Sequence, residues 1–352
     1  MKDALLKDLI NNGFDFLERA IQQFKAEPKY SVINFCAAIE ILLKARLMHE
    51  HWSLVIAVKD HPDIEKFKKG DFKSINFNDL VPRIESVTGE KISPDIQKCF
   101  KALANHRNKM VHFFHEAHTH AKKEKLLEEI AVEQSSGWFF LRRLLSGWGD
   151  VFGDYRDRIS SINASMKEHD IYLETVFSRI TPEIALAKSN GAIFRDCTRC
   201  KKAASEENKL TEYLFNCKCR VCLFQEYLLK TPCDDDDCDG LLEIIEGDTE
   251  VCCTACNEPI DKDHLSDLLD TDPVGTDNYA DYTPRNCAMC STPNEVIEHH
   301  AYYICKECFY ITDEIAGCGW CNELQIGGGD LEMSEYSGCE FCDGLAGHHR
   351  ND

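Results

Sequence analysis

Eighteen of the chain's twenty cysteines lie between Cys197 and Cys342, and this clustering constrains the fold more than any other feature. Sixteen of the eighteen fall into eight pairs, whose members are separated by two residues or, in one pair, by four. In a reducing compartment, cysteines at this density and spacing indicate bound metal rather than disulfides. The pairs are Cys197/Cys200, Cys219/Cys222, Cys233/Cys238, Cys253/Cys256, Cys287/Cys290, Cys305/Cys308, Cys318/Cys321 and Cys339/Cys342.

Successive pairs have the spacing of zinc ribbons and define four cysteine modules, 197–222, 233–256, 287–308 and 318–342. The intervals between the two pairs of each module contain 18, 14, 14 and 17 residues. Two thiolates from each of two turns complete a tetrahedral site, so we predict about four structural Zn²⁺ ions per chain, ligated by all sixteen paired cysteines. Two alternatives stay open. Cys217 or Cys252 can replace a neighbouring ligand, and Cys287/Cys290 can share an ion with Cys318/Cys321.

Short strand-like segments lie where ribbons need them. Leu241 to Ile245 and Glu295 to Ile304 have strand composition, and Gly327 to Gly329 supplies a turn. Each ion would replace a core too small to fold alone, which favours a structural role for every zinc. The acidic run from Asp234 to Asp237 lacks the spaced ligands and glycine of a calcium loop, so it is expected to be a solvated turn.

The first half of the chain has helical periodicity throughout. Apolar residues at helical spacing predict helices from Leu5 to about Phe24, from Ser31 to about Trp52, and over 79–87, 94–115 and 122–148. The sequence therefore predicts an α-helical bundle over residues 1–148 and small β modules with zinc over 191–352. Residues 149–190 are expected to form a helical extension or a tether.

Charge divides the chain at the same place. Residues 1–190 hold 28 Lys and Arg against 27 Asp and Glu, whereas residues 191–352 hold 12 against 34. Each Zn²⁺ with four thiolates adds two further negative charges, so the second half should repel phosphate. We expect it to bind a protein trigger or inhibitor of the first half. Lys201, Lys202, Lys218 and Arg220 are the residues there that can still contact RNA.

A further feature is the run from Arg107 to His112 inside the helix predicted from Pro94. Arg107 falls on the apolar stripe of that helix, and a guanidinium in such a position needs a partner because it cannot lose its charge. Glu40, at the edge of the apolar face of the second helix, is the candidate partner. Asn108 and His112 are four residues apart and share a flank of their helix.

These residues resemble the HEPN superfamily (higher eukaryotes and prokaryotes nucleotide-binding). The resemblance covers residues 1–148 and depends on two long N-terminal helices, the second running from Ala37 to Ala45 in the sequence AAIEILLKA, and on a late helix carrying Arg107-Asn108 and then His112. It implies a metal-independent endoribonuclease of prokaryotic antiviral defence or toxin systems, usually a homodimer through this domain. Phe114 stands where one branch of these toxins has a tyrosine.

The residue types fit that chemistry independently. RNA is cut without metal when its 2′-hydroxyl attacks the adjacent phosphate, which needs a base of near-neutral pKa and a cation for the developing charge. We assign these roles to His112 and Arg107, and to Asn108 the orientation of the helix or the phosphate. The rival hypotheses are a non-catalytic HEPN-like adaptor and a zinc-ribbon scaffold for protein interactions. A metal site at His112 and His115 is a further alternative.

The chain begins Met1-Lys2-Asp3 without an apolar leader, and no run of eighteen apolar residues occurs in it. We therefore expect neither secretion nor a membrane span, and a cytoplasmic location.

Overall fold

The computed structural model describes residues 2–57, 59–112, 120–235, 237–248, 251–273 and 282–348. The chain divides into two compact units, Met1–Ile184 and Ala185–Asp352. The first unit is helical and the second consists of small strand-rich regions that carry the cysteine clusters. The predicted order of a helical region followed by small cysteine-bearing β modules is therefore confirmed. Within the described residues, no helix combines the length and apolarity needed to cross a membrane.

In the described part of the first unit, the regular elements are helices and two short 3₁₀ turns (Trp52–Val55 and Gly153–Tyr155). The helices are α1 (Lys2–Gln23), α2 (Pro28–Glu50), α3 (Ile64–Lys69), α4 (Phe77–Thr88), α5 (Pro94–His112), α6 (His120–Gly147), α7 (Gly149–Phe152), α8 (Arg156–Met166) and α9 (Asp170–Ser189), the last of which ends in the second unit.

Helix α2 is the centre of the bundle and contacts α1, α4, α5 and α6. Phe35, Ile39 and Leu42 are among its fully buried side chains. It begins at Pro28 instead of the predicted Ser31, because proline fits the first helical position, where no amide donor is needed. Ser31 lies inside the helix and donates its hydroxyl to the Ala20 carbonyl at 2.7 Å. This bond ties α2 to α1 where the two helices pack.

The segment after the predicted bundle packs as helices. Ile159, Ile162, Tyr172 and Val176 of α8 and α9 are buried. Asn163 of α8, also buried, accepts hydrogen bonds on Oδ1 from the Tyr172 hydroxyl at 2.9 Å and from Trp138 Nε1 at 3.3 Å. Polar contacts of this kind fix how helices pack, since a buried amide needs its partners.

Within its described residues, the second unit contains three small sheets and three short helices. An antiparallel five-stranded sheet has the order β1-β2-β3-β4-β5, a second antiparallel sheet has the order β7-β8-β9, and a mixed sheet has the order β10-β11-β6. The strands are β1 (Ile193–Arg195), β2 (Ser205–Lys209), β3 (Leu214–Cys219), β4 (Gln225–Pro232), β5 (Leu241–Ile245), β6 (Arg285–Cys287), β7 (Val296–His299), β8 (Tyr302–Cys305), β9 (Ile311–Thr312), β10 (Ala316–Gly317) and β11 (Leu324–Ile326). The helices are α10 (Lys262–Leu269), α11 (Ser334–Ser337) and α12 (Gly344–His348).

The cysteine modules are not structurally separate, because apolar side chains from different modules share one hydrophobic core. Leu229 of β4 and Ile244 of β5 belong to the same buried cluster as Leu265 of α10 and Ile304 of β8. Strands β6 and β11 pair in parallel, which joins the third and fourth modules. The five-stranded sheet, α10 and the β7–β9 sheet therefore stabilise one another.

Candidate functional site

Arg107 and Glu40 meet between α5 and α2. Arg107 Nη2 lies 3.7 Å from Glu40 Oε2, and the two side chains are 32% and 24% exposed. This ion pair is longer than a hydrogen bond, and a guanidinium has five N–H donors, more than this single contact uses. Glu40 is the residue that the sequence singled out as the partner of Arg107.

Glu40 also holds a second cation. Lys44, one helical turn later in α2, donates to Glu40 Oε1 at 2.6 Å and to the Ser74 hydroxyl at 2.9 Å. The carboxylate is therefore shared between Lys44 and Arg107, which leaves a net positive charge on the three side chains. Sequence analysis missed Lys44 and Ser74, because Ser74 lies 30 residues away in a loop that carries no motif.

The other residues of the motif lie at the end of α5. Asn108 is exposed, and His112 is the last residue of the helix. The side chain of His112 and the residues Phe114 and His115 lie outside the described part of the chain. The helical spacing that places Arg107 on the apolar stripe also predicts a buried Val111, which is instead 49% exposed. Met110 is buried in its place, so the last turn of α5 presents a different face to the core.

Cys36 lies beside the Arg107–Glu40 pair. Burial raises the pKa of its thiol to about 12, with a smaller opposite effect of Arg107. Burial likewise raises the pKa of Cys99 to about 12. Both thiols stay protonated at neutral pH and serve the apolar core, since only the thiolate is a nucleophile.

A neighbouring histidine has a different partner. His106 Nε2 lies 2.9 Å from a carboxylate oxygen of Glu133 on α6. His106 precedes Arg107 by one residue, yet it contacts α6 while Arg107 contacts α2. The motif helix thus makes polar side-chain contacts with both α2 and α6.

Sixteen cysteines come together in four groups of four. Within each group the sulfur atoms lie within 4.8 Å of one another. The groups are Cys197, Cys200, Cys219 and Cys222; Cys233, Cys238, Cys253 and Cys256; Cys287, Cys290, Cys305 and Cys308; Cys318, Cys321, Cys339 and Cys342. Neither Cys217, which is buried, nor Cys252, which is exposed, belongs to a group, and the last two modules are not crossed.

The sulfur separations fit a tetrahedral ion. Cys197 and Cys222 lie 3.5 Å apart, Cys290 and Cys305 3.6 Å, and Cys321 and Cys339 3.8 Å. Bonds of about 2.3 Å to a tetrahedral Zn²⁺ place the sulfur atoms about 3.8 Å apart, whereas a disulfide requires about 2.05 Å. The donor set and its geometry therefore match a structural four-cysteine metal site.

The backbone of the cysteine turns is arranged for metal binding. In six of the eight turns the residue after the second cysteine has a positive φ, for example Lys201 at 58° and Asn322 at 61°. This left-handed residue brings the next backbone segment around the sulfur atoms. Amide groups of Ala255 and Cys256 donate to Cys253, and the bonds from Cys256 and then Ala255 lower the pKa of that thiol to about 6. Amide donors of this kind favour the thiolate of Cys253, which is the ligand form, whereas the pKa of Cys233 in the same group is raised to about 12.

Among the described residues, a further group has metal-ligand composition. Donor atoms of His49, Glu50 and Asp150 also lie within 4.8 Å of one another. Arg46, which is buried, donates to Glu50 at 2.6 Å. The guanidinium of Arg46 therefore already neutralises the Glu50 carboxylate. The arrangement of His49, Glu50 and Asp150 is explained by ion pairs without a metal.

Comparison of the chain with models of protein families, with curated proteins and with solved structures finds no match. The site is therefore interpreted from its own residues.

Proposed function

We propose that this chain is a metal-independent endoribonuclease of the HEPN type, in which the cysteine-bearing unit binds structural zinc and a regulatory protein. The observation that carries the proposal is the placement of Arg107. Its guanidinium is about one-third exposed and lies at the long distance of 3.7 Å from Glu40, on the helix that ends at His112. An anion can therefore reach part of this guanidinium, whose planar donors match the geometry of a phosphate.

In the proposed reaction, His112 accepts the proton of an RNA 2′-hydroxyl. The 2′-oxygen forms a bond to the adjacent phosphorus, the bond to the 5′-oxygen breaks, and that oxygen takes up a proton from water. His112 then releases the proton it accepted to the resulting hydroxide. Arg107 donates to the phosphate oxygens as their charge grows, and such a contribution is typically worth about 10²–10³ in rate. Asn108 orients the phosphate or the end of the helix, and Glu40 sets the position of Arg107.

The four cysteine groups would hold Zn²⁺ in a structural role. A four-cysteine site offers no open coordination position, and the described modules have small cores that an ion would complete. The excess of Asp and Glu over residues 191–352, 34 against 12 Lys and Arg, favours a basic protein partner over RNA. We further propose that the helical domain forms a homodimer and that the system serves prokaryotic defence or toxicity, as the resemblance implies.

The decisive experiment measures cleavage of single-stranded RNA in EDTA, on protein that retains its zinc. We expect products with 2′,3′-cyclic phosphate ends and no cleavage of a 2′-deoxy substrate. Arg107→Ala and His112→Ala should each abolish most activity, whereas Lys109→Ala, an exposed cation on the same helix, should not. Products with 3′-hydroxyl ends, or equal losses in all three variants, would exclude this mechanism. The absence of any cleavage by the wild-type chain would favour the non-catalytic adaptor.

A further inference from the structure

A small apolar pocket is lined in part by Lys44, the residue that donates to Glu40. It lies between α1, α2 and the segment that connects α2 to α4, and it has a volume of about 200 Å³. Leu5, Leu9, Met48 and Val55 form its aliphatic wall. Ligand pockets for larger molecules usually measure about 300–1,000 Å³, so this one suits a single small ring system.

Two polar groups enter this pocket. Lys44 and Ser74 line it, and they are hydrogen-bonded to each other at 2.9 Å. Lys44 also donates to Glu40, the carboxylate that faces Arg107. The pocket therefore opens one side chain away from the cation proposed to hold the phosphate.

Two aromatic rings complete the wall. Phe67 and Phe72 line the pocket with their ring centroids 5.1 Å apart and their planes inclined at 37°. Both are only partly buried, although each belongs to an apolar cluster that continues to Trp52. Aromatic faces beside a hydroxyl and an ammonium group form the combination that binds unstacked bases, which have flat apolar faces and polar edges.

We propose that this pocket binds one nucleobase of single-stranded RNA next to the scissile phosphate. The inference rests on the proposed nuclease function and adds to it the residues that select the substrate. Phe72 stacks on the base, Ser74 and Lys44 meet its polar edge, and the attached phosphate lies towards Arg107. The pocket then determines which nucleotide of the RNA lies at the cleavage site. The residues of α5 carry out the proposed cleavage.

The test compares intact RNA with oligonucleotides that carry one abasic ribonucleotide at successive positions around the cut. In the wild-type chain, removal of the base at one position should lower kcat/KM by roughly 10- to 100-fold, the range for loss of one base–aromatic stack. Phe72→Ala should show the same loss on intact RNA and no further loss at that position. Tyr30→Ala, an exposed aromatic on α2 outside the pocket, should behave as wild type.

A second variant tests the pocket independently, in case Phe72→Ala fails to fold. Leu9→Phe keeps an apolar residue on α1 and fills the space, so it should lower kcat/KM on intact RNA and leave the abasic substrate unaffected. Equal sensitivity to base removal in the wild-type chain and both variants, or no sensitive position at all, would overturn the pocket assignment.

Binding separates this proposal from the nuclease proposal. Anisotropy with 2′-O-methyl versions of the same oligonucleotides reports base recognition without cleavage. If no RNA is cut but the Kd values still show one base-sensitive position that Phe72→Ala abolishes, the pocket stands and the nuclease assignment fails. If the chain cuts RNA with no such position, the nuclease stands and the pocket fails.

Discussion

Arg107 approaches Glu40 no closer than 3.7 Å, whereas Lys44 contacts the other oxygen of the same carboxylate at 2.6 Å. The Glu40 carboxylate therefore orients Arg107 without engaging all of its hydrogen-bond donors. A guanidinium held in this way has its direction set by one partner and its remaining donors available to a phosphate.

Replacing Glu40 should separate RNA binding from catalysis. Glu40→Gln removes the charge between Arg107 and Lys44, so the two cations should attract phosphate more strongly and Kd should fall several-fold at low salt. The arginine loses its orienting partner, and kcat should fall by about tenfold or more. Steady-state kinetics with a salt series checks both effects, with Glu65→Gln on α3 as the control. A higher Kd for Glu40→Gln than for the wild-type chain would contradict the charge argument.

Metal analysis should find about four zinc ions per chain. Cys321→Ala should remove the fourth ion. Cys305→Ala should lose more than one, because Ile304 and Phe309 beside it belong to the core shared with the second module. If each variant loses a single ion and both have the same Tm, the modules are independent and the shared core contributes little to stability.

The two cysteines of the first unit should become destabilising in alkali. A group whose pKa is raised on folding stabilises the fold below its unfolded pKa and loses that contribution as pH rises. The pKa of Cys36 and that of Cys99 are each raised from 9.0 to about 12, so stability should fall between pH 9 and 12 by about 1.4 kcal/mol per pH unit for each thiol. Cys36→Val together with Cys99→Ala should flatten this dependence in denaturant unfolding of the helical unit. An unchanged slope would show that other groups control it.

Two glycines of α6 form a matched test of packing. A Cβ at Gly137 would lie 2.6 Å from Leu103 Cδ1 and 2.8 Å from Phe35 Cε1, whereas a Cβ at Gly147 would meet nothing within 4 Å. Gly137→Ala should therefore destabilise the bundle by about 1–3 kcal/mol, and Gly147→Ala should be neutral or stabilising by up to about 1 kcal/mol. Thermal unfolding distinguishes the two. Equal effects would mean that α6 can move away from α2 and α5 at little cost.

The cysteine-bearing unit should restrain the helical one electrostatically. A truncated chain of residues 1–190 is close to neutral, with 28 Lys and Arg against 27 Asp and Glu, and should bind and cut RNA better than the full chain at low salt. High salt should reduce the difference, since screening shortens the repulsion. Lower activity of the truncated protein at every salt concentration would instead assign substrate delivery to the second unit.

The features that depend on covalent spacing were predictable from the sequence, and those that depend on distant loops were not. Four cysteine groups follow from the pair intervals, and β5 occupies the residues expected for a strand, Leu241–Ile245. Strand β2 reads Ser-Glu-Glu-Asn-Lys and carries no apolar alternation, so only its partner β3 reveals it. The contact of Lys44 with Ser74 depends on how the 52–74 segment folds back, which no local pattern specifies.

The parallel pairing of β6 with β11 has a consequence for biosynthesis. Asn286 of β6 hydrogen-bonds to Glu323 at the start of β11, 37 residues later. While the ribosome is still making the chain, β6 emerges without its neighbour, and the edge of the third module stays open until the fourth has been translated. Non-local pairings of this kind form slowly and expose strand edges in the interval. Translation through β11 would then close the edge of the third module, and nascent chains stalled before Leu324 should still expose that edge.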